Sequence, residues 1–525
     1  MNAGRRKKRH KRPTRATSPV QERIFTGNGV IISWDGPSDP DNPFNWSSKR
    51  KIWAVGIGLL ISFVSACNGT LLSVAHNEIN SDFGVSDEHF PHSYWPTASW
   101  GVGGAIFPLL LFPIMEDFGV RRVLIGTYSF FVLMLIPVGV APNFATLIVT
   151  RFFTGGCVQL LSNAVASIIS NVFRDDNERS LPICLYVTVY LTSTSIGPVI
   201  GASILEHLGW RWIGFIELIW TACLLPVFAI ALPESRGSVI LQKRAQTWRR
   251  QGQTVHTAAE SRRTSLGQVL ASSVYRPLYM LFTEPVAIFA SLWAAFSLGT
   301  IYMFTQSAEQ VFGALYQWTA IQSSYIQAAI VLGELFGCGL CAYSNKWYYA
   351  SADRNKETPG LPIPEARLYP AIIGSVFGVT GGMLVYGWTP LNSASWVAPA
   401  FGLGMVGLGT TTVIVGNANY LIDAYSHYAA SALGAVGLVE NLAIAFLPLA
   451  TTAMYSNLGF GWASTLLALS SLLLASAPIA LLAFGPRVRA SSPFMRDSAA
   501  EKLALMTFAQ AAEGHVCENR EQCKA

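Results

Sequence analysis

Charge is what this sequence has least of. Of its 525 residues only 13% are Asp, Glu, Lys or Arg, against about 25% in a water-soluble globular chain. That scarcity excludes an ordinary soluble domain, and no nucleic-acid partner is expected. A disulfide framework is also missing. Six of the eight cysteines (Cys67, Cys157, Cys184, Cys223, Cys338 and Cys341) fall in apolar runs, where thiols pack as small hydrophobes. Cys338-Gly-Leu-Cys341 imitates a redox or metal spacing, but it sits mid-helix without a second ligand pair. Cys523 is third from the C-terminus and so makes no prenylation box. There is no phosphate-binding glycine loop, so direct drive by ATP is not expected. No nucleophile–base set and no metal cluster stand out, so neither an enzyme, a cofactor nor a metal is expected. No apolar stretch follows Met1 closely enough to be a cleaved signal peptide, which leaves targeting to the first apolar run.

What the chain has is hydrophobic length. It is 51% hydrophobic, its mean hydropathy is +0.38, and a spanning helix needs about 20 mostly apolar residues. Ile52–Val74, Phe144–Ser170, Val286–Phe304 and Trp462–Phe484 meet that requirement most plainly. Further spans are expected at Pro96–Met115, Val123–Val140, Leu181–Leu205, Ile213–Leu232, Trp318–Tyr343, Tyr369–Trp388, Trp396–Asn419 and Ala429–Met454, twelve in all. Basic residues test that count, because Lys and Arg collect in cytoplasmic loops. With the N-terminus inside, 34 of the 36 basic residues fall in the tails and every second loop; only Arg151 and Arg211 do not. Both ends are therefore expected in the cytoplasm. The Asn45-Trp46-Ser47 glycosylation sequon then lies on the wrong side to be used.

Spans divide six and six about the longest internal connection, which is polar and basic. The expected organisation is all-α and membrane-integral. Residues 1–51 form a basic, mobile cytoplasmic tail and 52–232 a first six-helix bundle. Residues 233–277 form a cytoplasmic central loop, 278–485 a second bundle and 486–525 a C-terminal tail. A site near the bilayer midplane between the bundles fits that plan.

Ordered motifs make the pattern specific. Asp39-Pro-Asp-Asn-Pro-Phe-Asn-Trp46 precedes the first span, and Glu116-Asp-Phe-Gly119-Val-Arg121-Arg122 follows the second. Arg151-Phe-Phe-Thr-Gly155-Gly156 lies in the fourth, and Gly197-Pro198-Val-Ile-Gly201 in the fifth with Trp210-Arg211-Trp212 after it. Pro364-Glu-Ala-Arg367 precedes the ninth, and Asn419-Tyr-Leu-Ile-Asp423 precedes the eleventh. This set resembles the major facilitator superfamily, and within it the fungal twelve-span drug:proton antiporters, from Asp39 to about Phe494.

The resemblance implies roles. Glu116, Gly119, Arg121 and Arg122 would form a gating loop that latches the cytoplasmic face, although Phe112 and Val120 depart from the family pattern. Gly197, Pro198 and Gly201 would form an exporter helix motif at the contact between the halves, with Ser193 and Ala202 standing for flanking glycines. Arg151 matches an arginine associated with proton coupling.

An ionisable group at the membrane centre costs about 3 kcal/mol or more, so those that persist face a cavity or a partner. Glu217, Glu334 and Glu440 are the acids within spans, with Glu217 placed near the outer surface; at Glu440 related transporters often carry arginine. Desolvation raises a carboxyl's pKa and a nearby arginine lowers it again, which can load and release a proton. Arg151 with Glu334 or Glu440 is the expected coupling set. Asn68, Gln159, Asn163, Asn417 and Asn441, with the rings of Trp100, Trp293 and Tyr302, are candidates for a substrate cavity.

These expectations define a monomeric, proton-coupled exporter of small amphipathic organic compounds. Its cargo would be drugs, polyamines, toxins or secondary metabolites, and its site the plasma membrane, with a vacuolar or vesicle membrane as the alternative. The rivals are uptake of a nutrient or vitamin by the same fold and a non-transporting membrane sensor. A sensor usually needs a long cytoplasmic tail, whereas the one after Arg487 is short.

Overall fold

The computed structural model describes residues 24–26, 29–87, 91–261, 266–355, 360–389 and 395–500. The first apolar run makes α1 (Ser48–Ala66) and then loses regularity in a 3-10 turn at Cys67–Gly69. Asn68 and Gly69 are poor helix formers and cannot carry the rod onward. A short α2 (His76–Phe83) ends that pass. Next come α3 (Trp95–Phe118), α4 (Val120–Gly139), α5 (Phe144–Val172), α6 (Asp176–Leu208) and α7 (Trp210–Ala231). Asn143 starts α5 by accepting the Thr146 N–H on its side chain.

The described residues of the central connection are partly helical. They include α8 (Gly237–Arg250), α9 (Ala258–Ser261) and the start of α10 (Leu266–Thr283). Beyond it run α11 (Pro285–Tyr316), α12 (Ala320–Tyr325) and α13 (Ala328–Ala350). Two pieces, α14 (Leu368–Ile373) and α15 (Gly381–Trp388), are joined by a π-helical turn at Gly374–Thr380. The last are α16 (Val397–Tyr425), α17 (Ala429–Phe446) and α18 (Thr451–Ser491), the last broken at Gly459.

Among the described residues nine stretches are long and apolar enough to cross a membrane. One of them, Val397–Ser491, comprises three helical stretches parted at Ser426 and Gly459, which brings the nine to eleven, one short of the twelve crossings expected. Within the first set of helices α3 packs on α5, α4 on α5 and α7, and α1 on α5 and α6. Within the second, α13 and α15 pack on α16, and α11 on α17 and α18. The two sets meet along α3 with α17 and α6 with α13.

From Ile24 the N-terminal segment differs from the mobile tail expected. Strands β1 (Ile24–Thr26) and β2 (Gly29–Ile32) pair antiparallel, and β2 pairs in parallel with β3 (Val255–Thr257) of the central connection. Asp39 is the pivot. Its carboxylate accepts the backbone N–H groups of Asp35 and Asp41, both at 2.9 Å. It also takes the Arg244 fork of α8 at 2.9 and 3.3 Å. Burial would raise the Asp39 pKa, but the Arg244 and backbone hydrogen bonds outweigh it and hold the carboxyl below its usual 3.8. A depressed carboxyl stabilises above its ordinary pKa and loses that contribution only as the pH falls through the lowered value. The clasp is thus intact at any pH near neutral. Asp39→Asn is expected to speed amide exchange in β3 and α8 about tenfold, since a charged hydrogen bond contributes about 1.5–3 kcal/mol. Unchanged exchange by mass spectrometry would refute the clasp.

Candidate functional site

Where α1 breaks, two backbone carbonyls turn inward. Arg151, on α5 and only 1% exposed, donates Nη1 to the Asn68 carbonyl at 2.5 Å and Nη2 to that of Gly69 at 2.8 Å. A cation at a helix C-terminus meets the negative end of the helix dipole. The broken helix therefore supplies half of what a buried guanidinium needs. The other half is an acid. Among the described carboxyls, the one in electrostatic contact with Arg151 is Glu217 of α7. It is likewise 1% exposed.

Asn68 joins the two. Its Nδ2 donates to Glu217 Oε2 at 3.1 Å, and its Oδ1 accepts the Trp100 indole N–H at 2.9 Å. Capacity is left over, because Arg151 Nε and Glu217 Oε1 are buried without a hydrogen-bond partner. Tyr302 comes from α11, so the second set of helices closes over this cluster, its ring 6.3 Å from that of Trp100.

The acid facing Arg151 is therefore not Glu334 or Glu440, as the sequence suggested, but the Glu217 it had placed near the outer surface. Helix α7 lies beside α1 and brings Glu217 against Asn68 at the break. Glu334 lies instead on the seam between the two sets: α13 presents it, wholly buried, to α6, where Ser195 Oγ donates to its Oε1 at 2.7 Å. Glu440 of α17 is within electrostatic range of the Tyr186 and Tyr190 hydroxyls of α6.

A third cross-seam contact is polar. Gln159 Nε2 donates to the Tyr190 hydroxyl at 2.8 Å and to Asn441 Oδ1 at 2.9 Å. Asn417 and Trp293 turn away from such a cavity. Asn417 Nδ2 ties α16 to the Ala290 carbonyl at 3.0 Å, and Trp293 Nε1 ties α11 to Ser375 Oγ at 3.0 Å. Asn163 is half-buried on α5.

In the loop between α3 and α4, Gly119 has φ +91°, and a Cβ there would stand 2.6 Å from Glu234 Oε2. Glu234 caps α4 by accepting the Val120 and Arg121 N–H groups at 3.2 and 3.3 Å. Arg121 Nη2 reaches the Ala229 carbonyl at 2.7 Å. The loop thus binds α4 to the end of α7, within the first set of helices. Arg122 is exposed beside it, and the Glu116 side chain lies outside the described residues. Sequence reasoning missed Glu234, although an acid two residues beyond the expected span end at Leu232 was its visible signal.

The motif at Gly197-Pro198 also has a different neighbour from the one expected. Pro198 cannot donate to the Thr194 carbonyl four residues back, and Thr70 Oγ1 donates there instead at 2.6 Å. A Cβ on Gly197 would collide with Thr70 Oγ1, and one on Gly201 with the Leu71 carbonyl. The glycine face of α6 therefore packs on the irregular end of α1, in the same half, rather than across the seam.

A membrane-embedded helical protein with a buried arginine and a buried carboxyl at a helix break, and polar contacts across a seam between two helix sets, is built as a solute carrier. The chain belongs to the Major Facilitator Superfamily, whose family model matches residues 58–448. It is 31% identical to the MFS transporter cpaT of Aspergillus oryzae over 88% of this chain and 92% of that one. It is 29% identical to a citrinin biosynthesis cluster MFS transporter of Monascus ruber, over 91% and 94%. An efflux pump of Gibberella fujikuroi, bik6, is 28% identical over 90% and 96%. Among solved structures, the human organic anion transporter MFSD10 superposes with a TM-score of 0.55 at 16% identity, covering 82% of this chain and all of that one. The protein is a multi-pass membrane transporter, not an enzyme.

Proposed function

We propose that the protein is a proton-coupled exporter of small amphipathic organic compounds, secondary metabolites foremost, acting as a monomer in the plasma membrane. Bundles 52–232 and 278–485 would rock about the seam, exposing a midplane site first to the cytoplasm and then outside. The observation that carries the coupling is the Arg151–Asn68–Glu217 cluster at the break in α1. Its unpartnered carboxyl oxygen can accept a proton, and its guanidinium is held by carbonyls that move with α1. Glu334 and Glu440 lie on the seam itself, where proton binding would bias its opening. Export and the metabolite class are supported by relatives named for a biosynthetic cluster and for efflux. Gln159, Tyr190 and Asn441, with Trp100 and Tyr302, are the groups proposed to meet cargo.

The test compares metabolites retained in cells with those released to the medium, with and without the gene. Loss of the protein is expected to raise the retained share of its cargo severalfold and to lower the released share. Cells that instead fail to accumulate an external compound would establish uptake and overturn export.

A further inference from the structure

Cys338-Gly-Leu-Cys341 has no partner pair within its own helix, but the fold brings one from another. Cys184 of α6 lies with its Sγ 3.5 Å from Cys338 Sγ on α13 and 3.6 Å from the Cys338 carbonyl. The two sulfurs belong to opposite helix sets. The seam they sit in runs antiparallel and in register: Ser180 Oγ meets Asn345 Oδ1 at 2.8 Å one turn towards the cytoplasm, and Ser195 meets Glu334 on the outward side. Ser180, Cys184, Cys341 and Asn345 also line a small pocket of about 10 Å³, room for roughly one water. Cys184 borders this pocket and Cys338 does not, so Cys184 is the thiol that a small polar reagent meets first.

We propose that Cys184 and Cys338 form an oxidisable dithiol whose disulfide ties the two bundles together near the cytoplasmic end and stops transport. This rests on reading the chain as a carrier whose bundles rock. The oxidant class is a hydroperoxide. One thiol attacks the O–O bond and becomes a sulfenic acid as water or an alcohol leaves. The second thiol displaces water from that sulfur and forms the S–S bond. Two thiols lose two electrons to the peroxide, and both thiol protons end in water or alcohol. A disulfide bond is about 2 Å long, so the sulfurs need close only about 1.5 Å. In a reducing cytosol the pair stays as thiols and the carrier runs; under peroxide load it locks with α6 and α13 held together. A spacing that looked idle on one helix thus becomes a site only when the second bundle closes on it.

The experiment uses the full chain in proteoliposomes, treated with hydrogen peroxide or with a thiol reductant. Energy transfer is read between clickable unnatural amino acids at Arg174 and Arg354. Peroxide is expected to yield a cross-linked Cys184–Cys338 peptide by mass spectrometry and to abolish the open-distance population. Metabolite counterflow should fall at least tenfold and return with reductant. Cys184→Ser and Cys338→Ser should each transport normally and ignore peroxide, while Cys341→Ser should respond as the wild type does. Absence of the linked peptide, linkage through Cys341 instead, or a linked protein that still samples the open distance would each overturn the proposal. The peptide and distance readouts need no cargo. A protein inert even when reduced would therefore overturn the exporter reading, while the cross-link and the distance still decide the dithiol.

Discussion

Arg151→Ala is expected to reduce pH-gradient-driven transport in proteoliposomes by about 100-fold or more while the protein still inserts. The guanidinium satisfies the Asn68 and Gly69 carbonyls at the α1 break and faces Glu217. Removing it leaves a buried carboxyl without its cation, and breaking a buried pair this way costs about 3–5 kcal/mol. Thermal stability in detergent should fall with the transport rate. Arg151→Lys keeps the charge but loses the planar fork that spans two carbonyls, so it should restore stability better than transport. Glu217→Gln should uncouple the gradient from substrate exchange. Combined with Arg151→Ala, it should recover part of the lost stability, because the residues are coupled and the two costs do not add. Gradient-driven transport undiminished in Arg151→Ala would remove the arginine from the mechanism. The same result for Glu217→Gln, Glu334→Gln and Glu440→Gln together would remove the carboxyls.

Efflux should also fail in Gly201→Val, through packing alone. The added carbon would collide with the Leu71 carbonyl and sit 3.1 Å from Val74 Cγ1. The first is backbone, which cannot swing aside, so α6 must retreat from α1. Overpacking of this kind costs about 1–3 kcal/mol, and here it displaces the carbonyls that hold Arg151. Gly126→Ala on α4 meets nothing within 4 Å and should transport at the wild-type rate, which separates a packing effect from a general cost of replacing glycine. Pro198→Ala restores a backbone donor opposite Thr194 and competes with Thr70 for that carbonyl. It should lower efflux less than Gly201→Val does. Wild-type efflux from Gly201→Val, measured at equal surface expression, would show that α6 and α1 need not approach so closely.

Most of the fold was legible because a bilayer imposes a one-dimensional rule: runs of apolar residues must be helices, and their backbone groups must be satisfied within each run. The expected span Phe144–Ser170 and α5 (Phe144–Val172) agree closely for that reason. The clasp between the N-terminal segment and the central connection was not legible. Nothing local in Asp39 or Arg244 says that residues so far apart in the chain will meet, and the strand Val255–Thr257 is too short to show a period. The site was half legible. Arg151 stood out because a charge in an apolar run needs a partner, but the identity of that partner depends on which helix lies beside α5.

The sequence by itself determined that this is a membrane protein, where its apolar helices lie, and which few charges are costly enough to demand partners. Hydropathy and the scarcity of charge are summed along the chain and need no fold to be read. Tertiary structure alone decided the pairings: Arg151 with Glu217 through Asn68, Glu334 with Ser195, and Cys184 with Cys338. Each depends on the rotation and depth of two helices remote in sequence. Those are set by side-chain packing between rods, and the glycine and proline of α6 set them by where they let α1 come close.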